Sequence, residues 1–209
     1  MCYPLSRRIT KMSAFKDISP YLSREFHFTE LEIARIRYVI ISFVSETSKL
    51  AVLFTAFSLM NRQKELLAAI LVLLSIRNFT GGIHLSHYLS CLLFTFSFLL
   101  SAIILAELCF PPLWIQILSL TAGIFIIGII GPVSSDRRPA PSRKKGNVFR
   151  MIACAVLLFY ILLLLNVKYF PFRNLLFWVS ILQILQLVAA KLIKERKQHY
   201  EKIHKNIPV

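Results

Sequence analysis

The chain has 209 residues, 56% of them hydrophobic, and 25 Lys and Arg against 10 Asp and Glu give a formal charge of +15. A mean hydropathy of +0.65 lies far above that of soluble proteins and excludes an ordinary water-soluble domain. So large a cation excess in so apolar a chain points to cytoplasmic loops and anionic lipid, not to nucleic acid.

At the N-terminus Arg7, Arg8, Lys11 and Lys16 are not followed by a short apolar run and a small-residue cleavage site, so no removable signal peptide is expected. Ser19-Pro20 offers a helix start, and Tyr21, Leu22, Phe26 and Phe28 beside Arg24 and His27 predict a helix lying in the membrane interface. Thr29-Glu30-Leu31-Glu32 reads as a capping box, so a longer helix should begin there. Apolar segments follow at 38–60, 66–76, 85–108, 113–131, 148–167 and 172–193. Most approach the roughly 20 residues a span needs. The second holds only about 11 uninterrupted apolar residues, rising ~17 Å as a helix. It must borrow flanking residues, thin the bilayer or be re-entrant.

The expected fold is therefore all-α, a polytopic integral membrane protein with about six transmembrane segments, the second short or re-entrant, preceded by an interfacial N-terminal helix. It forms one membrane domain: 1–37 cytoplasmic or interfacial, 38–193 the transmembrane bundle, 194–209 a basic cytoplasmic tail. An even number of crossings puts both termini on one side. That side gathers the N-terminal basics, Arg77, Arg137, Arg138, Arg143, Lys144, Lys145 and the tail residues Lys191, Lys194, Arg196, Lys197, Lys202 and Lys205. The other side has Arg62, Lys64, Lys168 and Arg173, so the richer side reads as cytoplasmic.

Cys2, Cys91, Cys109 and Cys154 show no C-x-x-C spacing, which argues against a zinc site or a disulfide framework. A cysteine with a special role would act singly. The polar stretch from Arg77 through Gly81, Gly82, His84 and His87 to Cys91 lies at the cytoplasmic mouth of the third segment. A thiol is mostly protonated near neutral pH, and an adjacent imidazole can take its proton and create a nucleophile. His84 and Cys91 are candidates for such a dyad. In one straight helix they would sit ~10.5 Å apart along the axis, so the pairing requires a bend at Gly81-Gly82 and a helix that begins after His84. The competing readings are Cys91 as a small buried helix residue, Arg77 as an interfacial anchor and Gly81-Gly82 as a plain turn. His84 and His87 at i, i+3 are two imidazoles without a carboxylate, a poor metal or haem site. No metal and no cofactor is expected.

Glu46 and Lys49 lie inside the first apolar segment, where each isolated charge costs roughly 2.5–3.5 kcal/mol on insertion scales. Their i, i+3 spacing favours mutual pairing, and Ser42, Ser45 and Ser48 extend a polar stripe. Glu46 as an orienter of the imidazole is the alternative role.

Arg77, Gly81-Gly82-x-His84 and Cys91 seven residues beyond that histidine resemble the accessory gene regulator protein B (AgrB) family. More loosely, the likeness covers the chain length, the basic N-terminus, the several spans and the Gly131-Pro132-Val133 exit into a loop with Asp136. That loop departs from the family pattern, with Arg137-Arg138-Pro139 where an Asn and a Lys often follow the acidic residue. The resemblance implies a cysteine endopeptidase that trims a short signal precursor and promotes its cyclisation to a thiolactone or lactone quorum-sensing pheromone. It implies Cys91 as nucleophile, His84 as general base, Arg77 and Gly82 as supporting positions, and a multi-pass protein of the bacterial cell membrane. The implied partner is a peptide with an amphipathic leader and an acidic C-terminal tail, for which Arg143, Lys144 and Lys145 are candidate binders; the same residues suit anionic lipid. A second copy of the chain is a further candidate partner. The competing function is a membrane transporter or peptide exporter without peptidase activity, with Glu46, Lys49, His84 and His87 along a pathway.

Overall fold

The computed structural model describes residues 30–83, 87–133, 143–167 and 171–205. The expected interfacial helix, Thr29 of the capping box, His84 and the loop residues Asp136 to Pro139 lie outside them. Among the described residues six helices follow in order: α1 (Glu30–Leu59), α2 (Gln63–Thr80), α3 (Tyr88–Leu108), α4 (Leu113–Ile130), α5 (Arg143–Asn166) and α6 (Arg173–Lys205). Among the described residues there is no strand, and Gly81 and Val133 form an isolated parallel β-bridge. The chain is an all-α polytopic membrane protein.

The chain divides into two compact units, Met1–Leu53 and Phe54–Val209. The first contains most of α1. Within it the Lys49 ammonium bonds the Glu46 carboxylate at 2.7 Å, and the Ser48 hydroxyl donates to the Ser45 carbonyl. Lys49 is buried and Glu46 largely exposed, so the pair gives a charge in an apolar helix a neutralising partner one turn away. Val39, Phe43 and Val44 of the same helix are exposed, as lipid-facing residues are.

In the second unit α6 is the axis. Half of its apolar stretch is buried, against 17%, 22% and 28% for α3, α4 and α5. It packs on α2, α3 and α4, while α5 packs on α4 and α2. Ile76, Leu120, Ile127, Leu157, Leu164, Leu176, Phe177, Ile184 and Leu187 form a shared core. A β-carbon at Gly123 would overlap the Ile184 side chain, so glycine there lets α4 and α6 close up, as small residues do at membrane helix contacts. Pro111-Pro112 breaks the chain between α3 and α4, and Gly131-Pro132 ends α4.

Helices α3 to α6 are each long and apolar enough to cross a membrane. Helix α2 reaches the same length by the first of its expected routes, borrowing Gln63 to Glu65 and Arg77 to Thr80. At 18 residues it equals α4, a rise of about 27 Å. Its start is paired through Arg62 to Glu107 in the last turn of α3, and its end is bridged to the residues after α4. It therefore matches α4 in length, while the helices apolar enough to cross a membrane are α3 to α6.

Candidate functional site

Helices α2 and α4 stop in the same way. The Gly81 amide donates to the Arg77 carbonyl and the Gly131 amide to the Ile127 carbonyl, each at 2.9 Å, and both glycines hold positive φ, +77° and +69°. L-residues pay about 1–2 kcal/mol for that region, glycine almost nothing. The two ends are tied together by the Val133 amide donating to the Thr80 carbonyl at 2.9 Å. A β-carbon at 81 would overlap the Val133 carbonyl oxygen. The first glycine of the pair thus carries the conformational demand. Gly82 answers a different one: its β-carbon would lie 3.2 Å from Gln186 Nε2 and 3.7 Å from Arg77 Nε.

Arg77 wraps this corner. Its carbonyl caps the helix at Gly81 and its guanidinium donates to the Ile83 carbonyl at 3.4 Å, so both ends of the residue hold the connection that leads to His84. The bend expected at Gly81-Gly82 is present, and α3 begins only at Tyr88, with His87 as its extended, exposed N-cap. The helix that carries Cys91 therefore starts at Tyr88, so the ~10.5 Å separation along an axis is not imposed. Cys91 lies half-buried in the first turn of α3 and forms no disulfide. Its amide donates to the His87 carbonyl at 3.1 Å, and its carbonyl accepts from the Thr95 hydroxyl at 2.9 Å.

Under the corner lies a group of buried polar side chains. Thr80, Ser180, Gln183 and Gln186 are all less than a tenth exposed. Gln183 Nε2 donates to the Gly81 carbonyl at 3.0 Å and to Thr80 Oγ1 at 3.3 Å. Gln183 Oε1 and both Gln186 amide atoms have no hydrogen-bond partner among the described residues. Each such atom costs about 1–3 kcal/mol when buried. Sequence reasoning passed over both glutamines. The available signal was Ser180, Gln183 and Gln186 at i, i+3 and i+6 in an otherwise apolar run, the spacing of one helix face.

A family model described as Accessory gene regulator B matches residues 15–187, most of the chain. The chain belongs to the AgrB family. No curated protein sequence and no solved structure matches it. As an AgrB protein it takes part in autoinducing-peptide processing in the accessory gene regulator system, a quorum-sensing role, and its apolar helices make it a membrane protein.

The remaining expected site residues of this AgrB protein fall into two groups. Arg143, Lys144 and Lys145 open α5, and Lys144 and Lys145 are exposed. The positive end of the helix dipole disfavours cations at a first turn, so helix stability does not account for them. Glu46, in the first unit, is engaged with Lys49. One further cation belongs to the corner: Arg150 Nη2 would lie 2.6 Å from a β-carbon at Gly131, so its guanidinium rests on that glycine. Among the described residues, no group of three or more His, Cys, Asp or Glu side chains is arranged to hold a metal ion.

Proposed function

We propose that this AgrB protein is a membrane-embedded cysteine endopeptidase, with Cys91 as nucleophile and His84 as general base. It cleaves a short peptide precursor and promotes cyclisation to a thiolactone or lactone. The observation that supports the reading is that α2 ends at the Gly81-Gly82 turn and α3 starts at Tyr88 after an extended His87, with Cys91 in its first turn. The first turn of a helix also favours negative charge developing nearby.

In this mechanism the Cys91 thiolate bonds to the carbonyl carbon of the scissile peptide, the C–N bond breaks, and the His84 imidazolium gives its proton to the leaving amine. The acyl group is then a thioester on Cys91. A thiol or hydroxyl within the bound precursor passes its proton to His84 and attacks that thioester. The bond to Cys91 breaks, the ring closes, and the thiolate is regenerated. Thioester exchange conserves the activated acyl bond, provided the internal nucleophile is held close and water is kept out. Arg143, Lys144 and Lys145 capture the acidic tail of the precursor from the cytoplasmic side, where both termini also lie, and anionic lipid holds its amphipathic leader.

The test is co-expression with a precursor bearing an amphipathic leader, an internal Cys or Ser and an acidic tail, read by mass spectrometry. Cys91→Ala and His84→Ala each abolish cleavage while the protein still inserts in the membrane. Cleavage by the Cys91→Ala protein overturns the reading, and peptide flux independent of Cys91 favours an exporter.

A further inference from the structure

Resting on the peptidase reading, we propose that Gln183 and Gln186 form an amide-lined subsite that binds the main chain of the peptide substrate beside the Gly81-Gly82 corner. Gln186 is 6% exposed and Gln183 fully buried. They lie one helical turn apart on α6, so both amides are presented at the same corner. Gln183 is fixed from one side only: its Nε2 is spent on the Gly81 carbonyl and Thr80, which leaves its Oε1 as an acceptor. Gln186 keeps both functions, a donor at Nε2 and an acceptor at Oε1, without a partner among the described residues.

That pair of functions selects the chemistry of the occupant. A carboxylate would use the donor alone and an ammonium the acceptor alone. A peptide bond offers a carbonyl to Nε2 and an N–H to Oε1, and so meets both. Buried polar groups are nearly always satisfied in folded proteins, so two neighbouring amides with three unmet atoms mark a place where bonds form on binding. Gly82 is part of the same device. A methyl group there would press on Gln186 Nε2 at 3.2 Å, so glycine at 82 leaves the amide its position. Gln183 and Gln186 are positioning residues; neither is assigned a part in proton transfer or acyl transfer.

The experiment uses the full-length protein in anionic vesicles and a fluorescein-labelled synthetic precursor with amphipathic leader, internal cysteine and acidic tail. In a Cys91→Ala background, Gln186→Met weakens precursor binding at least tenfold and Gln183→Met less, because Gln183 contributes one acceptor. In the Cys91-intact protein Gln186→Met raises KM for cleavage with little change in kcat. Gly82→Ala weakens binding too, yet adds little once Gln186 is Met, since both changes remove one amide contact. Precursor bound by Gln186→Met as tightly as by its parent overturns the subsite and leaves the amides as groups satisfied by water. The peptidase reading is judged apart from this, by whether cleavage by the otherwise unaltered protein depends on Cys91.

Discussion

Two buried glutamines at opposite ends of the second unit keep different company. Gln116, in the first turn of α4, is 1% exposed. Its Nε2 donates to the Pro111 carbonyl at 2.8 Å and to Asn174 Oδ1 at 3.2 Å, and its Oε1 accepts from Arg173 Nε at 3.2 Å. Gln186, near the other end, is almost as buried and has no hydrogen-bond partner among the described residues. The first glutamine staples the start of α4 to the start of α6, and the fold explains it. The described residues do not explain the second, since an apolar side chain of its size would avoid the unmet amide. Its place beside Gly82 is what the proposed main-chain subsite accounts for.

The comparison breaks first if the corner under Gln186 is not a rigid frame. Gly81→Ala puts an L-residue at φ +77° and drives its β-carbon into the Val133 carbonyl oxygen, a backbone atom that cannot swing away. Strain in the left-handed region alone is about 1–2 kcal/mol, and the overlap adds to it. We expect the largest loss of stability here, seen as a steep drop in folded yield or Tm in detergent. Gly131→Ala shares the positive φ but meets the flexible Arg150 guanidinium, and its loss is smaller. Equal losses would show that the bridge to Val133 contributes nothing.

Gln116→Met comes next. It removes three hydrogen bonds and strands Arg173 and Asn174, at a cost of about 1–3 kcal/mol. Tm falls by roughly 2–4 °C per kcal/mol for a chain of this size, while cleavage per folded molecule is unchanged. Gln186→Met has the opposite profile, with Tm held or raised and cleavage reduced. If both variants lose Tm alike, the two glutamines are structural equals and the contrast fails.

The contrast was half legible in the sequence. The helices were, because apolar runs bounded by Pro111-Pro112, Gly131-Pro132 and polar turns leave few alternatives. The turn at Gly81 was legible, and so was the Glu46–Lys49 pairing, since i, i+3 charges in an apolar helix have nowhere else to go. The extent of α2 was not, because its ends are polar and counting apolar residues stops at 66 and 76, whereas backbone hydrogen bonding continues to Thr80. Nor were the glutamines. Gln116 stands alone in its apolar run and Gln186 shares a face with Ser180 and Gln183, but only their distant neighbours on other helices separate a satisfied amide from an orphaned one.

The smallest effect concerns the end away from the corner, where Arg62 donates to Glu107 at 3.1 Å and joins the turn after α1 to the last turn of α3. Its side chains are 34% and 48% exposed, and exposed pairs contribute about 0–1 kcal/mol. Arg62→Gln should therefore lower Tm by no more than a few degrees, and raised salt should shrink the difference. The exchange of Arg62→Glu with Glu107→Arg restores the pair without changing the charge on that side of the membrane, so insertion is undisturbed and Tm recovers. A loss well above 1 kcal/mol on Arg62→Gln would mean that headgroups desolvate the pair. The end stapled by Gln116 would then depend on buried charge as well as on satisfied amides.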